Sequence, residues 1–240
     1  LSRADAPALV ARLAAKSLLV VQFDGSTLAT YRLLETTRDF ALERLRASGD
    51  HEPSARRHAL CMRALLRHAG DASAVTRSAW MAHYGAWLDD VRSALDWAFS
   101  DAGDARLAVA LTADAMPLAY QLRLWREFFP RLQGAMALLP TVAELEPDTE
   151  VKLRHARAEL VIHMHGAGPE TRAMYQDALD AARDVTDAVA AAKARDGAFM
   201  GAFVVGDYPL ALTLARRFKE DAQRLPHALS SVRADRMLAQ

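Results

Sequence analysis

The stretch Thr30–Asp50, TYRLLETTRDFALERLRASGD, opens as a β-strand and continues as a charged helix with neither Gly nor Pro between the two. From Glu35 the apolar period changes from two to 3.6. Leu34, Ala41 and Leu45 then share one face with Leu42 beside them, while Glu35, Arg38, Asp39, Glu43 and Arg46 point to solvent. Phe40 falls off that stripe and predicts a second contact surface. Ser48-Gly49 reads as a helix C-cap, because glycine enters the left-handed region without steric cost.

Upstream, APALVARLAAKS (Ala6–Ser17) has helical spacing, and the apolar runs LLVVQF and TLATYRLL flank Asp24-Gly25, a strong hairpin signal. Helix, hairpin and helix in this order predict the closing half of a winged helix over 1–50. A basic helix over 53–69 follows, with Pro53 in its first turn. Trp80, Tyr84, Trp87, Leu88, Val91 and Leu95 then step at intervals of three and four, with Trp97 and Phe99 adding aromatic bulk, so a core helix is expected there. Together 51–103 form a helical linker.

Beyond Gly103 the sequence reads as helix pairs: 105–122 with 124–139, 148–165 with 169–187, and 188–205 with 208–224. Pro117 is a candidate kink, 140–147 a linker, and Pro226 precedes the first helix of a fourth pair. Second helices starting near 124, 169 and 208 repeat at roughly 40 residues, the range of helical solenoids. GDYPLA (Gly206–Ala211) is the clearest repeat signature: Gly turns the chain, Tyr fills the turn and Ala lets two helices approach. The expected fold is mainly α, a partial winged helix with a β-hairpin, then a helical linker and a tetratricopeptide-like α-α superhelix over 104–240.

Composition narrows the function. Formal net charge is zero, so no global basic field favours nucleic acid. No apolar run reaches the roughly 20 residues of a membrane helix, and a single cysteine, Cys61, fits a reducing compartment. A cytoplasmic location is expected. The chain starts without Met and stops inside a helix-like run, so we expect a piece of a longer protein.

With those residues placed, a resemblance emerges. LAAKSLL, the hairpin and YRLLETTRDFALERLRASGD are similar to the winged-helix end of the nucleotide-binding module in STAND-type regulatory ATPases. The narrower likeness is to bacterial regulators with a tetratricopeptide-like sensor. RRHA (Arg56–Ala59) and WLDDVRSALDWAF (Trp87–Phe99) match further segments of that family, with Asp90 for its Asn and Val91 for its Leu. The likeness spans 9–99; beyond residue 100 it is to repeat architecture alone. It implies a regulatory role: an inducer or partner protein binds the helical arm, and the linker and winged helix pass the event to an upstream nucleotide-binding domain of the same chain. ATP or ADP belongs to that upstream domain, and a transcriptional output to a separate one. Leu33, Leu34 and Glu35 occupy the family's Met-His-Asp nucleotide-sensing positions without its His; apolar periodicity favours core packing for the two leucines.

Chemistry within the chain itself is sparse. There is neither GxxxxGK(S/T) nor GxGxxG. His155, Glu159 and His163 form a helical stripe that could ligate metal, without HExxH and read mainly as a solvated or groove-lining face. His163 and His165 point in different directions on a helix. His58 lies one turn from Cys61, read as an incidental His beside a buried thiol. Arg56, Arg57, Arg63 and Arg67 form a basic face, read as solvated or interdomain rather than DNA- or phosphate-binding. No enzyme is expected here. The other classes are a stand-alone tetratricopeptide-like scaffold and, remotely, a helical-bundle metalloenzyme built on the His155 stripe.

Overall fold

A computed structural model describes residues 5–23, 29–69, 80–81, 84–183, 185–186, 188–222, 235 and 237–239. The described chain is mainly helical with one two-stranded antiparallel sheet. It divides into two compact units, Leu1–Ser54 and Ala55–Gln240.

In the first unit, α1 (Ala6–Ala15) leads into β1 (Leu19–Phe23), which pairs with β2 (Ala29–Leu33). Ser17 makes the bend with a left-handed φ of 58° while the Leu18 N–H donates back to Leu13 C=O at 3.0 Å, a Schellman-like stop. The register runs from Leu19 opposite Leu33 to Phe23 opposite Ala29. The expected Asp24-Gly25 turn lies outside the described residues.

Leu34 alone separates β2 from α2 (Glu35–Ala47), and its C=O accepts the helix's first bond, from Arg38 N–H at 2.8 Å. The strand therefore does run into the helix without a loop, and Gly49 ends it at φ 76°. The expected core packing of Leu34 is not observed: it is 51% exposed. Phe40 is 63% exposed, and no described residue of this unit is buried.

The second unit holds the core. After α3 (His51–Ala69), a 3-10 turn at Gly85–Trp87 opens α4 (Leu88–Ala98), so the tryptophan segment starts more tightly wound than a single α-helix. Trp80, Val91 and Leu95 are buried, with Tyr84, Trp87, Trp97 and Phe99 packed against the same core.

Three helix pairs follow: α5 (Ala105–Gln121) with α6 (Trp125–Leu138), α7 (Thr149–His165) with α8 (Pro169–Ala181), and α9 (Ala188–Val204) with α10 (Tyr208–Ala222). The first member of each pair has 17 residues. The connectors 122–124, 166–168 and 205–207 are three residues long, and each carries one left-handed residue, Arg123, Gly166 or Gly206. Connections this short force the paired helices to reverse direction. Each helix packs on the next, and α5 packs on α7 and α7 on α9. Pro117 lies inside α5 without interrupting it. The helix expected to reach 187 stops at Ala181, and the start of the expected fourth pair lies outside the described residues.

Caps mark the starts. Asp104 accepts from Leu107 N–H at 3.0 Å, the Thr171 hydroxyl accepts from Gly168 N–H at 2.9 Å, and Asp207 accepts from Leu210 N–H at 3.3 Å.

Internal carboxylates answer part of the basic face of α3: Arg63 is drawn inward, while Arg56 and Arg67 stay more than half exposed, as a solvated face would be. Arg63 Nε donates to Asp114 at 3.0 Å and its Nη2 to Glu146 at 2.5 Å, Arg67 lies 3.5 Å from Glu146, and Arg56 lies 3.5 Å from Asp104. Asp114, buried in the middle of α5, also accepts from Lys152 of α7 at 3.2 Å. One carboxylate thus pins α3, α5 and α7. His58 pairs with Asp90 at 3.5 Å, and Cys61 is exposed rather than buried.

A second clamp joins α4 to α6, where Arg92 grips Glu127 through two 2.7 Å bonds. The Arg92 hydrogen bond outweighs burial and holds the Glu127 carboxyl below the usual range; Arg63 does the same for Glu146.

Removing one member of a buried pair strands the other charge. Asp114→Ala should therefore lower unfolding stability by about 3 kcal/mol in a urea titration, near the lower end for such pairs because Arg63 and Lys152 keep Glu146 and Asp148. The two depressed glutamates set the acid limb. Their contribution is complete above the ordinary value of 4.5 and is lost as pH falls through their lower folded values. Urea midpoints should drop below that pH, and a Glu127→Gln, Glu146→Gln chain should show a lower neutral midpoint with a flatter acid slope.

Candidate functional site

The His155–Glu159–His163 stripe lies on α7, which packs on α5, α6, α8 and α9. His155 Nε2 lies 3.5 Å from Glu159 Oε1, and the His155 ring sits 5.7 Å from that of Tyr175 on α8. One end of the stripe is aromatic. His163 stacks on Trp125 of α6 at 4.4 Å with 10° between planes, and Tyr120 of α5 tilts against it at 5.3 Å. Aromatic pairs at such spacing contribute about 0.5–1.5 kcal/mol beyond area burial.

The other end is closed by α9. A Cβ added at Gly197 would fall 2.6 Å from Tyr175 Cδ1 and 2.7 Å from His155 Nδ1, and one at Gly201 would fall 2.9 Å from Tyr175 Cδ2. Two glycines four apart present one bare helix face, so Tyr175 and His155 lie directly on the α9 backbone. His155 Nδ1 and Trp125 Nε1 are both buried without a hydrogen-bond partner. Buried polar atoms are paired in the large majority of cases, so the two orphans mark the two ends of the stripe.

Burial pushes the Glu159 carboxyl up, but the His155 hydrogen bond and the charges of His155, His163 and Lys193 more than offset it, and the net shift is downward. Tyr175 is pushed up by burial first, then by the negative charges of Glu159 and Asp196. The arrangement offers a carboxylate among aromatic rings, with polar atoms awaiting partners.

His155 and Glu159 thus turn to each other, and His163 to Trp125 and Tyr120. Among the described residues no group of three His, Cys, Asp or Glu side chains is placed to hold a metal ion. Leu34 and Glu35 are exposed at the start of α2, and each is described within the first unit alone. Tyr120, Trp125 and Tyr175 escape a reading of single-helix periodicity, because their meeting is set by packing between pairs. Gly197-Ala-Phe-Met-Gly201 was the available signal, since glycines four apart in an alanine-rich helix mark close approach.

No helix among the described residues is long and apolar enough to cross a membrane. No protein-family model, curated protein or solved structure matches the chain.

Gly197→Ala forces Tyr175 or His155 to move. It should cost about 2 kcal/mol in urea unfolding, in the range for overpacked cores, and should shift the ring-proton resonances of His155 and Tyr175. Ser93→Ala, on the exposed side of α4, should do neither.

Proposed function

We propose that this chain is the sensing and coupling segment of a STAND-type regulatory ATPase of the transcriptional-regulator kind. The tetratricopeptide-like arm over 104–240 receives an inducer or partner protein on the face built from Tyr120, Glu159, His163 and Tyr175. The linker over 51–103 and the winged-helix half over 1–50 pass that event to a nucleotide-binding domain carried upstream. A ligand acts in this way only by preferring one arrangement of arm and core over the other.

The observation that carries the reading is the threefold plan of the pairs: equal first helices, equal connectors and first-helix stacking. Stacked pairs bury a continuous core and leave an extended surface for binding. Two further features support it. The strand-to-helix joint at Leu34 has no loop to absorb a rotation. The first unit buries none of its described residues while exposing Tyr31, Leu34 and Phe40, as a subdomain completed by a neighbour would. Leu34 offers no hydrogen bond to nucleotide, so in this reading the winged-helix half acts mechanically at that position.

The native gene tests the proposal. We expect a GxxxxGK(S/T) loop within roughly 300 codons upstream of Leu1, and ATP hydrolysis by the full-length product. A full-length gene without that loop would leave the stand-alone scaffold.

A further inference from the structure

The face on α7 allows one step more, the chemical class of its ligand, and this step rests on the sensor reading of that face. Tyr175 is only 4% exposed, and its hydroxyl makes no hydrogen bond to any described residue. Its ring cannot retreat, because Gly197 and Gly201 already lie against it. The charge felt at that hydroxyl is negative, from Glu159 and Asp196. Glu159 keeps 32% of its side chain exposed, so a ligand can reach its carboxylate. Tyr120 is 36% exposed, and His163 is exposed beside it with Trp125 stacked behind.

An anion would meet the negative charges of Glu159 and Asp196, with Lys193 as the fixed cation near Glu159. A purely apolar ligand would strip water from the part-exposed Glu159 carboxylate without replacing it. A cation answers the carboxylate and favours aromatic faces.

We propose that the α7 face beside Tyr120 and Tyr175 binds a small ligand bearing a guanidinium or protonated amine. Glu159 is the counter-ion, Tyr120 and His163 are aromatic walls, and the Tyr175 hydroxyl accepts a ligand N–H.

The test is titration of the 240-residue chain at pH 7.5 with argininamide, and with citrullinamide as its isostere lacking the guanidinium charge, both acetylated at the α-amine so that the side chain alone differs in charge. Binding is followed by calorimetry and by the resonances of the Trp125 indole N–H and the His163 ring. We expect saturable binding of argininamide, about tenfold weaker binding of citrullinamide, and a similar loss in Glu159→Gln. Tyr175→Phe, which removes only the hydroxyl, should weaken argininamide severalfold and keep the ring in place. Equal binding of the two amides, wild-type binding by Glu159→Gln in a folded chain, or no saturable shift with argininamide would each overturn the proposal. Argininamide binding without an upstream phosphate loop would sink the regulatory reading alone; the loop without binding would sink the ligand class alone.

Discussion

A carboxylate in the middle of a buried helix is a costly thing to place, and Asp114 is where the second unit commits to one geometry. Its two oxygens are taken by Arg63 and Lys152, each of which reaches on to a further acid, Glu146 or Asp148. Leucine there would fill space without specifying direction. The ion pairs hold α3, α5 and α7 in one register, because any slip of a helical turn strands a charge in the interior. The next two helices, α8 and α9, pack on α7, so the same constraint sets where His155 and Glu159 are presented.

From that anchor the stack grows by repetition. Three-residue connectors with one left-handed residue reverse the chain at the end of each first helix, and small residues at the contacts bring neighbours close. Gly197 and Gly201 carry this furthest: where α9 drops its side chains, Tyr175 and His155 press against its backbone. Where that approach is closest, His155 Nδ1 is buried with nothing to bind among the described residues, which separates the α7 face from the ordinary surface of a helical array.

Much of this was legible in the residues, and for identifiable reasons. Helix positions followed from period and from local stops such as Gly49, Gly166 and Gly206, whose left-handed conformation is a property of the residue itself. The hairpin followed from two apolar runs about a turn signal, and the loopless joint at Leu34 from the lack of Gly or Pro. Long-range pairing was not legible. Arg63 and Arg67 look like a free basic face until Asp114 and Glu146 arrive from 51 and 79 positions away. Cys61 looks like a core thiol because its neighbours Ala59 and Met62 are buried, yet the helix turns it outward. Tyr175 reads as one more amphipathic residue, since its role is fixed by bare glycine on a different helix.

The central claim is that the second unit is one cooperative body locked through Asp114, while none of the first unit's described side chains is buried. Native-state hydrogen exchange across the 240-residue chain measures this most directly. The account predicts that amides of α4 to α8 share a single high protection, reached together as denaturant is added, with α1, β1, β2 and α2 exchanging orders of magnitude faster. Equal protection in α2 and α7, or separate opening of α5 and α7, would contradict it.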